Sequence, residues 1–312
     1  MTHNSLASVR AHVFRYRPLA QRYAVSMCGL VLTLLLISGL IETFLVYRNS
    51  IDRVEAVQEA QAVGAAREIA AYFDVIEVGL RDVAKMPWGR PGYGVAQRRE
   101  GFHRLMQLVP SIIELRGVDA RAREQLRTPK ASVDEVASNV PFDDPGLIPS
   151  AATEKMLRGH TFFRDGHLPT VRLAAFDGDG GIVATIDLRL LNEVVSRLQA
   201  GEGGLAYVVD AQDHLIAHAE PTWVLSRPDI SQSAAVVHAR RSQANPVLVR
   251  GLSTIDLQGE AVIVTAAAVP KVDWVVFMEQ KRDSALRPVW SALGRTGALM
   301  LVGGVAALIA GV

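Results

Sequence analysis

Two histidines, His214 and His218, stand four residues apart in "DHLIAH" and are the first candidates for chemistry. On an extended strand they share a face but lie about 13 Å apart at about 3.3 Å per residue. A zinc ion needs nitrogens about 2 Å away, so the pair does not form a metal site. "FDGDGG" (176–181) resembles part of a calcium loop but lacks the ligand series that ends in Glu, and reads as a turn between strands. "GEGG" (201–204) precedes a strand rather than a helix, so it reads as a linker and not a phosphate loop. No G-x-x-x-x-G-K-[ST], H-E-x-x-H or G-x-S-x-G occurs, and the lone cysteine, Cys28, falls in an apolar run where it offers neither a disulfide nor a nucleophile. The chain is therefore expected to carry no catalytic site, no metal and no cofactor.

The elements around these residues begin with two apolar runs. Residues 23–47 contain one charge, Glu42, and about 20 apolar residues suffice to cross a bilayer. The run is about twice an ordinary signal-peptide core and is followed by no small-residue cleavage site, so it reads as an uncleaved anchor. Arg10, Arg15, Arg17 and Arg22 precede it and place residues 1–22 in the cytoplasm, against the weaker opposing pull of Arg48 and Arg53. Residues 296–312 carry no charge, and with Trp290 as an interfacial aromatic they imply a second membrane helix, 288–312, cut short at Val312. Residues 48–287 are then one extracytoplasmic insert between two membrane helices. The net charge of +1 says nothing about nucleic acid, but no basic block is interleaved with aromatics as a nucleic-acid surface requires, so no nucleic-acid partner is expected.

Apolar and small residues recur at Val63, Ala66, Ala70, Phe73, Ile76, Leu80 and Val83, a helical spacing that predicts one long helix over 48–86. Its stripe can pack on its own domain and, over other turns, on the same helix of a second subunit. Pro87 and "WGRPGYG" (88–94) end it. Strand-like runs with turns follow: "SIIELRGV" and "REQLRT", then "HTFFRD" and "PTVRLAAF", then "GIVATIDL" leading into a helical "RLLNEVVSRL". "GLAYVVD" and "HLIAHA", a helical "SQSAAVVHARR" and the strands "PVLVRGL", "EAVIVTAAAV" and "DWVVFMEQ" repeat the plan. Two modules, 87–200 and 201–287, of α+β class with antiparallel sheets are expected.

Several of these phrases, "SIIELRGVDARAREQLR", "TFFRDGHLPTVRLAAF", "GIVATIDLRLL", "GLAYVVDAQDHLIAHAEPTWVLSRPDIS" and "VDWVVFMEQKRDSALRPVWSALGRT", together resemble the double Cache (dCache) sensor domains of bacterial receptors. The resemblance implies two PAS-like modules stacked on a long N-terminal helix between two transmembrane helices, a homodimer, and a small extracytoplasmic ligand. It implies the sensor region of a histidine kinase, or alternatively of a nucleotide or diguanylate cyclase or a chemoreceptor; a ligand-independent assembly domain is the remaining alternative. The family usually binds its ligand in the membrane-distal module, which points to Glu114, Arg116, Phe162, Arg164, Thr170, Arg172 and Asp187. The R-x-W-Y pattern of amino-acid-binding members is missing, and Arg116, Arg164 and Arg172 suit a carboxylate held in bidentate fashion, hence an organic acid. Arg164 and Arg172, flanking Gly166-His167-Leu168, are expected to face each other on paired strands and share that anion. Where members usually carry a glycine turn the chain has Gln212-Asp213-His214, and Ala219 stands where proline commonly follows the histidine.

Overall fold

The computed structural model describes residues 17–86, 94–136, 139–144, 147, 156–177, 180–198, 204–242 and 246–311. The N-terminal Arg10 and Arg15, most of "WGRPGYG", the centre of "FDGDGG" and residues 201–203 of "GEGG" lie outside them. The chain forms two compact units, Glu55–Lys281 and Met1–Val54 with Arg282–Val312.

Helix α1 (Arg17–Ala84) is 68 residues long. In the larger unit its buried positions are Gln58, Ala62, Ala65, Ala66, Ile69, Ala70, Phe73, Ile76, Glu77, Leu80, Val83 and Ala84. The steps of three and four make one stripe on a helix of 3.6 residues per turn. The stripe matches the expected one except that Val63 is only partly buried. Helix α2 (Val95–Leu108) follows, with Phe102, Leu105 and Met106 buried, an element the sequence reading did not contain. Gln97 closes its first turn by accepting the Gly94 N–H at 2.6 Å.

The first sheet has six strands: β1 (Ile112–Asp119), β2 (Glu124–Pro129), β3 (Glu135–Val136), β4 (Met156–Arg164), β5 (Leu168–Phe176) and β6 (Gly180–Asp187), in the order β3-β2-β1-β6-β5-β4. Every named pairing is antiparallel. All eight residues of β6 are buried, which fits its central place in the order. Helix α3 (Leu190–Arg197) follows, burying Leu191 and Val195.

The second sheet contains β7 (Gly204–Val209), β8 (Leu215–His218), β9 (Val247–Ile255), β10 (Ala261–Ala268) and β11 (Val275–Lys281) in the order β8-β7-β11-β10-β9. Strand alternation divides its residues between two cores. Ala206, Val208, Ala267, Val276 and Met278 join the cluster that contains the α1 stripe. Tyr207, Val264 and Phe277 join another with Val224 of helix α4 (Pro221–Ser226) and Ala235 of helix α5 (Ala234–Arg241). An α+β fold with a long N-terminal helix and two antiparallel sheets is the expected class.

Polar groups fix the helix against both sheets. Gln58 donates to the Ile263 carbonyl at 3.0 Å and accepts from Thr265 Oγ1 at 3.0 Å. Glu77, buried on α1, accepts from Arg158 Nε of β4 at 3.0 Å and from Arg81 at 3.1 Å, while Arg158 Nη1 donates to the Lys271 carbonyl at 2.6 Å. Lys271 in turn pairs with Asp74.

In the smaller unit, α1 meets helix α7 (Arg287–Gly311), which follows the short α6 (Arg282–Ala285). A methyl group at Gly39 would overlap the Thr296 side chain. Glu42, the charge inside the first apolar run, lies 3.3 Å from Arg295. Among the described residues one helix, α1, is long and apolar enough to cross a membrane.

On the α4 and α5 side of the second sheet Tyr207 donates to Glu279 Oε1 at 2.6 Å and stacks on Phe277 at 5.0 Å. Burial pushes the Glu279 carboxyl up to about 7, with Asp256 adding to the effect and the Tyr207 hydrogen bond opposing it. An acid raised in this way contributes stability that is complete below its unfolded value, about 4.3, and is lost as pH climbs through about 7. Urea unfolding should therefore show this group's contribution falling by about 3 kcal/mol between pH 5 and pH 8. Glu279→Gln should flatten that part of the profile, and an unchanged slope in the variant would refute the assignment.

Candidate functional site

The seven residues singled out from the sequence come together on the first sheet. Its register pairs Thr170 with Asp187 and with Phe162, Arg172 with Thr185, and Thr185 with Glu114, so these side chains share the face turned away from α1. Arg116, two residues after Glu114, continues the same face on β1.

Glu114 is the hub. It is 1% exposed and accepts from Arg116, from Arg127 Nη2 at 3.3 Å, and pairs with Arg164 Nη2 at 3.4 Å. Burial alone would raise its pKa, but the hydrogen bonds and charges of Arg116 and Arg127 outweigh it and hold the carboxyl below its ordinary value. Arg116 also reaches Glu124 at 2.8 Å and Asp143 at 3.1 Å. Arg172 reaches Asp143 at 3.3 Å and Asp144 at 3.4 Å, and its guanidinium lies 4.8 Å over the Phe162 ring and 5.8 Å from that of Phe142. Arg172 Nε is buried and has no hydrogen-bond partner among the described residues.

Two of the seven serve the fold. Thr170 donates to the Phe162 carbonyl at 2.9 Å and ties β5 to β4. Asp187 accepts the Arg189 backbone N–H at 2.9 Å and its side chain at 2.7 Å, closing the turn into α3.

The expected pairing of Arg164 with Arg172 does not form. Arg164 pairs with Leu168 across the Asp165–His167 turn, and Arg172 falls opposite a break in the ladder between Arg158 and Thr161. The two arginines are instead separated along the face, and their charges go to different acids. His214 also departs from expectation: it precedes β8, sits in the turn and contacts Asp210 Oδ2 at 3.2 Å, while His218 lies at the strand end. No group of three His, Cys, Asp or Glu side chains that could hold a metal ion occurs among the described residues.

Arg127, Glu124, Phe142, Asp143 and Asp144 were missed. Arg127 was within reach, because it lies directly opposite Arg116 across β1 and β2. The loop acids were not, since no strand period extends to residues 139–144. Chemically, the face is a set of guanidiniums whose present partners are carboxylates of this same chain.

The profile of the Cache domain family matches residues 45–289. No curated protein matches significantly in sequence. Among solved structures, the chain is similar to the extracellular domain of rpHK1S-Z16, assigned as a histidine kinase, at 17% identity and a TM-score of 0.59, covering 76% of this chain and 98% of that one. It is similar to the ligand-binding domain of the Pseudomonas aeruginosa PAO1 amino-acid chemoreceptor PctC in complex with GABA, at 13% identity and a TM-score of 0.53, over 73% of this chain and 99% of that one. The ligand-binding domain of the Campylobacter jejuni chemoreceptor Tlp3, in complex with L-norvaline, gives 10% identity and a TM-score of 0.54, over 78% and 95%. At such identities the likeness is one of fold, while the family match spans both sheets and α1 from residue 45 on. The chain belongs to the Cache domain family.

Proposed function

We propose that this chain is the sensor region of a bacterial membrane receptor, with residues 48–287 outside the cytoplasm, and that the arginine face of the first sheet binds a small organic acid. The observation that carries the second part is Arg172. Its Nη atoms rest on two loop carboxylates, Asp143 and Asp144, while its buried Nε–H has no partner among the described residues. A ligand carboxylate would replace a loop carboxylate and satisfy that N–H as well, because a guanidinium edge binds a carboxylate through two parallel bonds. The relatives in fold include binders of GABA and L-norvaline, each of which also carries a carboxylate. The sensor would feed a histidine kinase or, as the alternative, a cyclase or chemoreceptor output. Binding shifts the output only by favouring one packing of the first sheet on α1 over another.

Membrane anchoring rests on the exposed apolar residues of α1, Leu30, Leu34, Leu40 and Phe44 among them, and on the apolar α7. Dimerisation through α1 has support in Val75 and Val78, which are 63% and 54% exposed on a helix whose other face is buried. The two modules would divide at residues 200 and 201.

Three measurements test these readings. Calorimetry with succinate on the purified chain should show binding that Arg172→Ala weakens by about 2 kcal/mol, roughly 30-fold. If succinate does not bind, or binds the variant equally well, the organic-acid reading fails, and GABA binding that Arg172→Ala weakens would favour an amino acid. Phosphatase fused after residue 200 should be active and a cytoplasmic reporter there silent; the reverse would overturn the topology. With Cys28 replaced by serine, a cysteine at Val78 should crosslink two chains whereas one at the buried Leu80 should not, and equal crosslinking at both positions would remove α1 as the dimer contact.

A further inference from the structure

The side of the first sheet that faces α1 also carries a cavity, of about 340 Å³, with no part in the arginine face. Its walls come from four places: Phe73 of α1, Arg158 to Thr161 of β4, Val171 and Leu173 of β5, and the two loops of the second sheet that carry Gln212 and Trp274. Its volume is at the lower end of the range for small-molecule sites.

The local structure that shapes it is specific. β4 is an edge strand, and its register with β5 shifts between Arg158 and Thr161, leaving Gly159 and His160 as a bulge. Bulges re-aim side chains at sheet edges and beside functional sites. Here the bulge brings His160 Nδ1 within 2.9 Å of Gln212 Nε2. Gln212 is held in place from below, because the fully buried Asp210 accepts the backbone N–H groups of Gln212 at 2.9 Å and His214 at 2.8 Å. Gln212, the first residue of the Gln212-Asp213-His214 turn, is thus part of one wall of the cleft. With the Gln212 amide donating to Nδ1, the neutral imidazole keeps its proton on Nε2.

Hydrogen-bond supply and demand in the cleft are unequal. Arg158 has five N–H groups and directs three at Glu77 and the Lys271 carbonyl. Lys271 directs one of its three at Asp74. The Thr161 hydroxyl is buried without a partner among the described residues. Against these donors the lining offers the Gln212 amide oxygen and the Asp273 carboxylate as side-chain acceptors. An occupant rich in acceptors restores the balance. The rest of the lining is apolar: Val171, Leu173 and the Phe73–Trp274 pair, whose rings meet edge to face at 5.2 Å.

We propose that the cleft between the two sheets is a second ligand site, separate from the arginine face, which takes a small carboxylate with an aromatic or branched apolar body. Its carboxylate meets the spare N–H groups of Arg158, Lys271 and His160, and its body lies against Val171, Leu173 and Trp274. An occupant touches both sheets and α1 at once, so it stabilises their mutual packing.

Phenylacetate is the probe. It is titrated by calorimetry into the full chain in detergent micelles, alongside acetate, which has the carboxylate without the body. Ala211 lines the cleft and its side chain is exposed, so Ala211→Phe fills the cavity without entering the core. His160→Ala removes one donor at a solvent-facing contact. The expected result is that phenylacetate binds at least tenfold more tightly than acetate, that Ala211→Phe and His160→Ala each weaken it at least tenfold, and that Arg172→Ala leaves it unchanged. Circular dichroism reports whether each variant is folded, and succinate binding at the arginine face does so as well for Ala211→Phe and His160→Ala. Absence of phenylacetate binding in the wild type overturns the proposal. So does binding that survives Ala211→Phe, or that Arg172→Ala abolishes, since either places the probe elsewhere.

Discussion

Both sheets of the larger unit fold against the same buried stripe of α1, and that shared surface constrains the rest. Gln58 and Phe73 on the stripe touch the second sheet at Ile263, Thr265 and Trp274. Further along, Gly79 lies so close to Leu105 of α2 that a side chain there would have to displace it. Side-chain size changes along the stripe: the small Ala62, Ala65 and Ala66 are followed by the large Phe73, Ile76 and Leu80, all of them buried. Each large side chain fully buried there contributes about 1.5–3 kcal/mol, so the helix is held more strongly than any surface ion pair could hold it.

Charge is arranged around this apolar frame in two separate systems. On the α1 side, Glu77 joins the helix to Arg158 of the first sheet, and Arg158 continues to a backbone carbonyl of the second. Glu77 is buried, but the Arg158 side chain is 31% exposed and Arg81 is a second partner, so the pair positions the helix more than it stabilises it. On the opposite side, Glu114 gathers three arginines and the loop acids take the remainder. A face so well supplied with its own carboxylates binds an external acid in competition with the loop. The measured affinity is then the difference between two similar interactions, and it rises if the loop moves away.

The sequence showed the parts of this arrangement that depend on period and punctuation. The stripe from Ala66 to Val83 follows the helical step, and the runs now seen as β5, β6, β10 and β11 alternate or fill as buried strands do. The seven candidate residues proved to share a face because strand alternation fixes which side chains point together once the order of strands is right. What could not be read depends on contacts between distant segments. Asp143 meets Arg172 across 29 positions of chain, and the bulge at Gly159 and His160 shifts the register that a simple count from the turn would give. Helix α2 was missed because half of it is polar and exposed, leaving Phe102, Leu105 and Met106 as a short apolar signal.

Gln58 shows how this frame sets position as well as strength. The alanines that follow it form a smooth surface, and smooth surfaces oppose rotation or displacement along an axis only weakly. A buried amide that must meet both a carbonyl and a hydroxyl is satisfied at one setting alone, in the way that a single polar residue fixes the register of a coiled coil. The helix therefore behaves as a shaft with a key cut into it: large side chains clamp one end, and at the other a single amide determines the depth to which it is seated.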